Sequence, residues 1–302
     1  MKKIPDARLH QQEKVNAYFH SQSAYWKEVY ASEGVQAEIY RDRQATVLGW
    51  IDSLALAPGS QVLEIGCGAG LIAVALAHRG LRVQAIDSLE TMVELARRHA
   101  LASGTDESLS VEVGDVYSLA FEDESFDLVV AVGVIPWLAR VDLAIREMAR
   151  VTKPGGYVIL TADNRARLSN LLDPTLNPVF SPLKRCMKAA IEAVRHRRRS
   201  TNKIGATFHD RHFIDEVLVS AEFIKARGMT LGFGPFSFLR WTIIPEPLGT
   251  ALHHRLQVLA DQSVPVFRST GAHYIVLARK SVSQLLLSMS AEKTASDAIE
   301  AL

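Results

Sequence analysis

Cysteine is scarce in this chain: Cys67 and Cys186 are the two among 302 residues. So small a set builds neither a disulfide framework nor a cysteine metal site, and it points to a reducing, cytoplasmic setting. An excess of charge of one sign is also missing. With 34 Lys and Arg against 33 Asp and Glu, the formal net charge is +1, so no global field draws the chain to nucleic acid. The longest apolar run, Leu128 to Ala139, is too short to span a bilayer, and the opening MKKIPDARLH has no apolar stretch behind its lysines. The sequence therefore predicts a chain that is neither exported nor membrane-spanning. It also lacks a G-x-S-x-G elbow, an H-E-x-x-H helix and paired cysteines, which removes the commonest covalent and zinc chemistries.

What is present is alternation. From Ser60 onward, short β-branched runs (QVLEIG, LRVQAID, LSVEVGD, FDLVVAVG, GYVILTAD) are separated by helix-like stretches such as LIAVALAHRG and ETMVELARRHALASG. That pattern predicts βαβ units around a parallel sheet, in a doubly wound α/β domain. Pro58-Gly59 marks a turn before the first strand, and Pro154-Gly155-Gly156 one before the fifth. The predicted organisation is a helical arm or lid over 1–57 and a core over 58–280. The core carries insertions at about 165–206 and 237–268, and a tail follows over 281–302.

The stretch LEIGCGAG, Leu63 to Gly70, predicts a strand that feeds a glycine-rich turn and a helix, where bare backbone N–H groups can meet a ligand. A dinucleotide fingerprint would need a third glycine at position 71, which is Leu71. The pattern is instead E-x-G-x-G-x-G. Glu64 at the strand's end suits a cationic ligand and would repel a pyrophosphate. Asp87 closes the second strand about twenty residues past the loop, the spacing at which an acid meets a ribose diol. It could equally cap the helix that Ser88 and Glu90 introduce.

Together VLEIGCGAG, QAID, VEVGDVYSL and VTKPGG resemble the motifs of the class I S-adenosylmethionine-dependent methyltransferases, over Val62 to about Leu160. The resemblance implies a Rossmann-like seven-stranded sheet with its last strand antiparallel. It implies S-adenosylmethionine as cofactor, bound by Glu64, Gly66, Cys67, Gly68, Gly70, Asp87, Ser88, Met92, Asp115, Val116 and Val132, with Asp115 and the next amide at the adenine edge. The fourth strand ends in the apolar Val134-Ile135-Pro136-Trp137, without the Asn-Pro-Pro-aromatic run of amino-methylating enzymes. The layout is similar to the small-molecule branch that includes the ubiquinone, menaquinone and magnesium-protoporphyrin methyltransferases. The porphyrin enzymes have a histidine where this chain has Pro136 and Trp137.

Because a sulfonium-bound methyl is already activated, alignment and exclusion of water are the main demands on such a site. The expected reaction is in-line transfer to a small, partly hydrophobic acceptor, at oxygen. The alternatives are transfer to carbon or nitrogen of a quinone, porphyrin or lipid-like molecule, and a catalytically weak cofactor-binding module docked to a membrane or partner. Tyr25 in the aromatic arm and His209 before a helix are the candidate catalytic groups; a base is useful only for a hydroxyl acceptor. Residues 179–199 combine an apolar stripe with Lys184, Arg185 and Arg197 to Arg199. They suit either a lid with a solvated basic rim or peripheral contact with an anionic membrane. No nucleic acid and no metal are expected. The arm and both insertions are expected to close one acceptor chamber, lined by Trp26, Phe180, Met187, Phe236, Phe238 and Trp241.

Overall fold

The computed structural model describes residues 12, 15–19, 21, 32–173, 176–177, 205–238 and 241–282. Seven strands form one sheet in the order β3-β2-β1-β4-β5-β9-β6. They are β1 (Gln61–Ile65), β2 (Arg82–Asp87), β3 (Leu109–Val113), β4 (Phe126–Ala131), β5 (Thr152–Asp163), β6 (Phe223–Leu231) and β9 (His273–Lys280). Strands β1 to β5 pair in parallel, and β9 enters antiparallel between β5 and β6. The expected Rossmann-like sheet with an antiparallel last strand is what forms.

The strand sequences are apolar at successive positions because both faces of the sheet are covered. Leu63, Ile65, Val129 and Leu160 pack on one side with Ile145 and Met148 of α4 (Val141–Val151) and, past the short α5 (Leu168–Leu172), with Ile214 and Leu218 of α6 (Arg211–Ser220). Val62, Leu128, Val130 and Ile159 pack on the other. There they meet Ile39 and Val47 of α1 (Val35–Asp52), Ile72 of α2 (Leu71–Ala77) and Ala96 of α3 (Glu90–Ala102). The helical spacing of Val141, Ala144, Ile145, Met148 and Ala149 shows how a 3.6-residue period becomes a buried stripe.

Two features differ from expectation. Pro154-Gly155-Gly156 lies inside β5 as a bulge and not before it: Phe126 pairs with Thr152, but Leu128 pairs with Tyr157. Gly155 supplies the positive φ of 77° that the bulge requires. The second insertion builds the short hairpin β7–β8 (Ser237–Phe238, Trp241–Thr242), then α7 (Glu246–Asp261) and α8 (Phe267–Thr270). Helix α7 packs on α1 and the end of β6. The Glu246 carboxylate accepts from the Val35 amide at 2.8 Å, which caps α1. The fully buried His253 accepts from the Phe233 amide through Nδ1 at 3.2 Å and meets Asp42 through Nε2 at 2.9 Å. Gln257 accepts from the Gly232 amide. The insertion thus braces α1 from behind.

No described helix is long and apolar enough to cross a membrane. Tyr25, Trp26, Phe180, Met187 and the basic stretch 179–199 lie outside the described residues.

Candidate functional site

A cavity of about 570 Å³ runs along the carboxyl edge of the parallel strands, a volume in the range of small-ligand sites. Its floor is the ends of β1, β2 and β4, and its lid includes Gln12, Val15, Asn16 and Phe19. Ser88 ties that lid down: its hydroxyl lies 3.1 Å from Asn16 Oδ1 and 3.3 Å from Gln12 Nε2. Trp137 stacks on Tyr18 and meets Phe19 edge-on, so the aromatic arm and the apolar turn after β4 touch over the opening.

Three glycines shape the loop after β1, each for a different reason. A Cβ on Gly66 would lie 2.5 Å from Val134, and one on Gly70 would lie 2.9 Å from Ala96, whose backbone is at 3.2 Å. Gly66 therefore admits the turn after β4, and Gly70 lets α2 approach α3. At Gly68 a Cβ would meet nothing; the residue lines the cavity with φ 53° and leaves space for a ligand. Gly70 does not line the cavity. The loop is held from below by Ile86, whose carbonyl accepts from the Gly66 and Cys67 amides.

Asp87 carries two structural bonds before any ligand arrives. Its Oδ2 accepts from the Gly68 amide at 2.9 Å and its Oδ1 from the Leu89 amide at 3.0 Å, so it fastens the glycine loop to the start of α3. Each carboxylate oxygen keeps a second lone pair with which a ligand could bond. Burial raises its pKa, against the amides that lower it. Glu64 is more extreme. Its side chain is buried, Oε2 has no hydrogen-bond partner, and burial pushes its pKa up to about 8, beyond what the Ala73 amide offsets. A buried acid with an unpartnered oxygen is costly to ionise unless something cationic neutralises it. Cys67 is a buried thiol whose pKa is raised, first by burial. Met92, Asp115, Val116 and Val132 line the same cavity, and Asp115 turns the chain by accepting from the Tyr117 amide.

The far end of the cavity holds groups that the strand pattern did not single out: Tyr40, Arg43, Asp163 and His273. Asp163 and His273 are register partners on β5 and β9, and His273 Nδ1 lies 3.0 Å from Asp163 Oδ1. The Arg43 guanidinium lies over the Tyr40 ring, and that ring is 5.9 Å from the imidazole. Burial raises the Asp163 pKa, but the His273 hydrogen bond and the charges of His273, Arg167 and Arg43 outweigh it and hold it below the ordinary value. Burial lowers the pKa of His273 in spite of Asp163.

His209 stands outside the cavity wall. Its amide donates to the Asp163 carbonyl, its carbonyl accepts from Arg165, and its ring stacks on Phe213. It extends β5 and so positions Asp163. Phe236, Phe238 and Trp241 do not line the cavity either; Phe238 and Trp241 face solvent. One sign of the missed acid was in plain sight: GYVILTAD ends in Asp163 as QVLE and QAID end in Glu64 and Asp87.

Residues 63–160 match the family model described as a methyltransferase domain. The ubiquinone biosynthesis O-methyltransferase of Paracidovorax citrulli (strain AAC00-1) is 38% identical over 126 residues, which is 41% of this chain and 52% of that protein. The protein of the same name from Chelativorans sp. (strain BNC1) is 36% identical over 107 residues, 35% of this chain and 42% of its own. The chain spans about half the length of the curated relatives it matches. Among solved structures, the magnesium protoporphyrin IX methyltransferase of Synechocystis PCC 6803 with bound SAH superposes with a TM-score of 0.60 at 18% identity, covering 89% of this chain and 100% of that one. The [4+2]-cyclase SpnF gives 0.56 at 19% identity, with 90% and 96% covered. These likenesses are of fold, and a cyclase among them shows that the fold alone does not select a reaction. The order of strands, the glycine loop with its acid, and the match over 63–160 agree: residues 63–160 form a methyltransferase domain at the centre of the seven-stranded sheet.

Proposed function

We propose that the protein transfers the methyl group of S-adenosylmethionine to an oxygen of a small, partly hydrophobic biosynthetic acceptor. The observation that carries this reading is Glu64, a buried carboxyl with an unpartnered oxygen at the floor of a cavity beside a glycine loop. Its chemistry asks for a cation, and the cofactor's ammonium or sulfonium supplies one. Glu64 would hold the amino-acid end, Asp87 the ribose diol, and Asp115 with the Val116 amide the adenine edge. When bound, the cofactor supplies an electrophilic methyl carbon with a neutral thioether as leaving group.

The chain's part is positioning. Strand β4 lies between β1 and β5, and Asp163 stands four residues beyond Ile159, the β5 position level with Glu64 through Val130. That interval leaves room over β4 for the reacting atoms. Val134, Pro136, Trp137 and Leu138 wall this middle section, and Phe19 covers it. These apolar groups exclude water and favour a flat, partly hydrophobic acceptor. The O-methyltransferase names of the relatives support oxygen as the target.

Incubation with methyl-labelled S-adenosylmethionine and a panel of quinols, phenols, amines and lipid-like acceptors tests the reading. Label should pass to a hydroxyl compound. Label passing only to amines or carbon would move the target atom. Tight cofactor binding with no transfer to any class would leave a binding module.

A further inference from the structure

We propose that His273, held by Asp163, is the general base that takes the hydroxyl proton from the acceptor; this rests on the methyl-transfer reading. The pair is a buried histidine–carboxylate dyad at the end of the cavity remote from the glycine loop. Asp163 occupies one ring nitrogen and fixes the tautomer with the proton on Nδ1. Nε2 then carries a lone pair, and in the structure it is buried and has no hydrogen-bond partner. A buried acceptor left unsatisfied is a site for a donor that arrives with a ligand.

The arrangement has the parts of an orienter and a base without the nucleophile. As the acceptor oxygen bonds to the methyl carbon and the carbon–sulfur bond breaks onto sulfur, Nε2 takes the hydroxyl proton. The imidazolium so formed is stabilised by the Asp163 carboxylate and loses its proton to solvent after product leaves. The groups facing the dyad set its working range. Arg43 and Tyr40 approach from α1, Arg167 follows β5, and His209 pairs with the backbone beyond Asp163. Burial and the two arginines keep the ring neutral, as a base must be before it acts. A neutral amine attacks through its own lone pair and sheds its proton only after the methyl is bonded, whereas a hydroxyl is a weak nucleophile until its proton is taken, so the dyad suits an acceptor with an ionisable hydroxyl, of phenol type. Tyr40, beside the imidazole, and Trp137 supply aromatic surface for its ring.

The test compares wild type with His273→Gln and Asp163→Asn in three measurements: S-adenosylhomocysteine affinity by calorimetry, labelled methyl transfer to a panel of substituted phenols across pH, and the nitrogen NMR signals of His273. Affinity should stay within about threefold in both variants, which also reports that they fold. Transfer should fall about 100-fold or more in His273→Gln, the scale of a lost general base. The wild-type rate should rise with pH through a midpoint below that of an ordinary histidine, and Asp163→Asn should shift that midpoint. The NMR spectrum at neutral pH should show a neutral ring protonated on Nδ1. An imidazolium at that pH, a His273→Gln rate above half that of wild type, or no transfer to any phenol while S-adenosylhomocysteine binds would each overturn the base. Failure of S-adenosylhomocysteine to bind wild type would instead overturn the methyl-transfer reading beneath it.

Discussion

Glu64 shows how one residue links stability to function. Its native pKa of about 8 lies well above the 4.5 of a free glutamate, so the native state holds a proton that the unfolded chain releases. Its contribution to stability is complete below about pH 4.5 and is lost as pH rises through 8, at a cost of up to about 5 kcal/mol. Glu64→Gln, which never ionises, should match wild type in thermal melts of the ligand-free protein near pH 4.5 and exceed it increasingly towards pH 8. Equal pH dependence of the two proteins would mean that the carboxyl is already neutralised. The glycines separate by the same logic. Gly70→Val must push a side chain into Ala96 at a positive φ of 78° and should cost about 3 kcal/mol in urea unfolding. Gly68→Val meets no protein atom, so it should cost only the 1–2 kcal/mol or so of its left-handed backbone while lowering cofactor affinity more than tenfold. A Gly68→Val protein that binds as wild type does would place the cofactor elsewhere.

Elements whose signals are local were legible: β1 to β5 by their β-branched runs, the glycine turn by its composition, α2 and α3 by the helix-like stretches LIAVALAHRG and ETMVELARRHALASG. What escaped depends on partners distant in sequence. His273 opens AHYIVLARK like any strand residue, and only the antiparallel register beside β5 makes it the neighbour of Asp163. Tyr40 and Arg43 read as an ordinary helix face, because α1 shows its cavity side only once the sheet edge is in place. The second insertion was expected over the acceptor, yet its helix α7 braces α1 through Glu246 and His253 and the chain after β6 through His253 and Gln257, and none of its residues lines the cavity. Replacing 237–268 with a short turn should therefore destabilise the protein before it affects chemistry. The point variant His253→Ala strands the buried Phe233 amide and should cost about 2–3 kcal/mol in urea unfolding. It should leave S-adenosylhomocysteine affinity within about threefold in the folded protein. A large affinity loss with unchanged stability would return α7 to the site itself.

For the whole molecule, the order of the sheet places four acids along one edge. Asp115 follows β3, Asp87 ends β2, Glu64 is next to last in β1 and Asp163 ends β5, and β9 brings His273 to the same edge by running the other way. In the proposed function the first three meet the cofactor's adenine, ribose and amino-acid end, and Asp163 orients the proposed base. Calorimetric titration of S-adenosylmethionine into wild type and Glu64→Gln tests the central claim that Glu64 anchors the cofactor's cationic end. The account predicts one site per chain, with affinity falling at least tenfold, about 1.4 kcal/mol, in the variant. Equal affinity in the two proteins, or tighter binding of NADH than of S-adenosylmethionine by wild type, would contradict it.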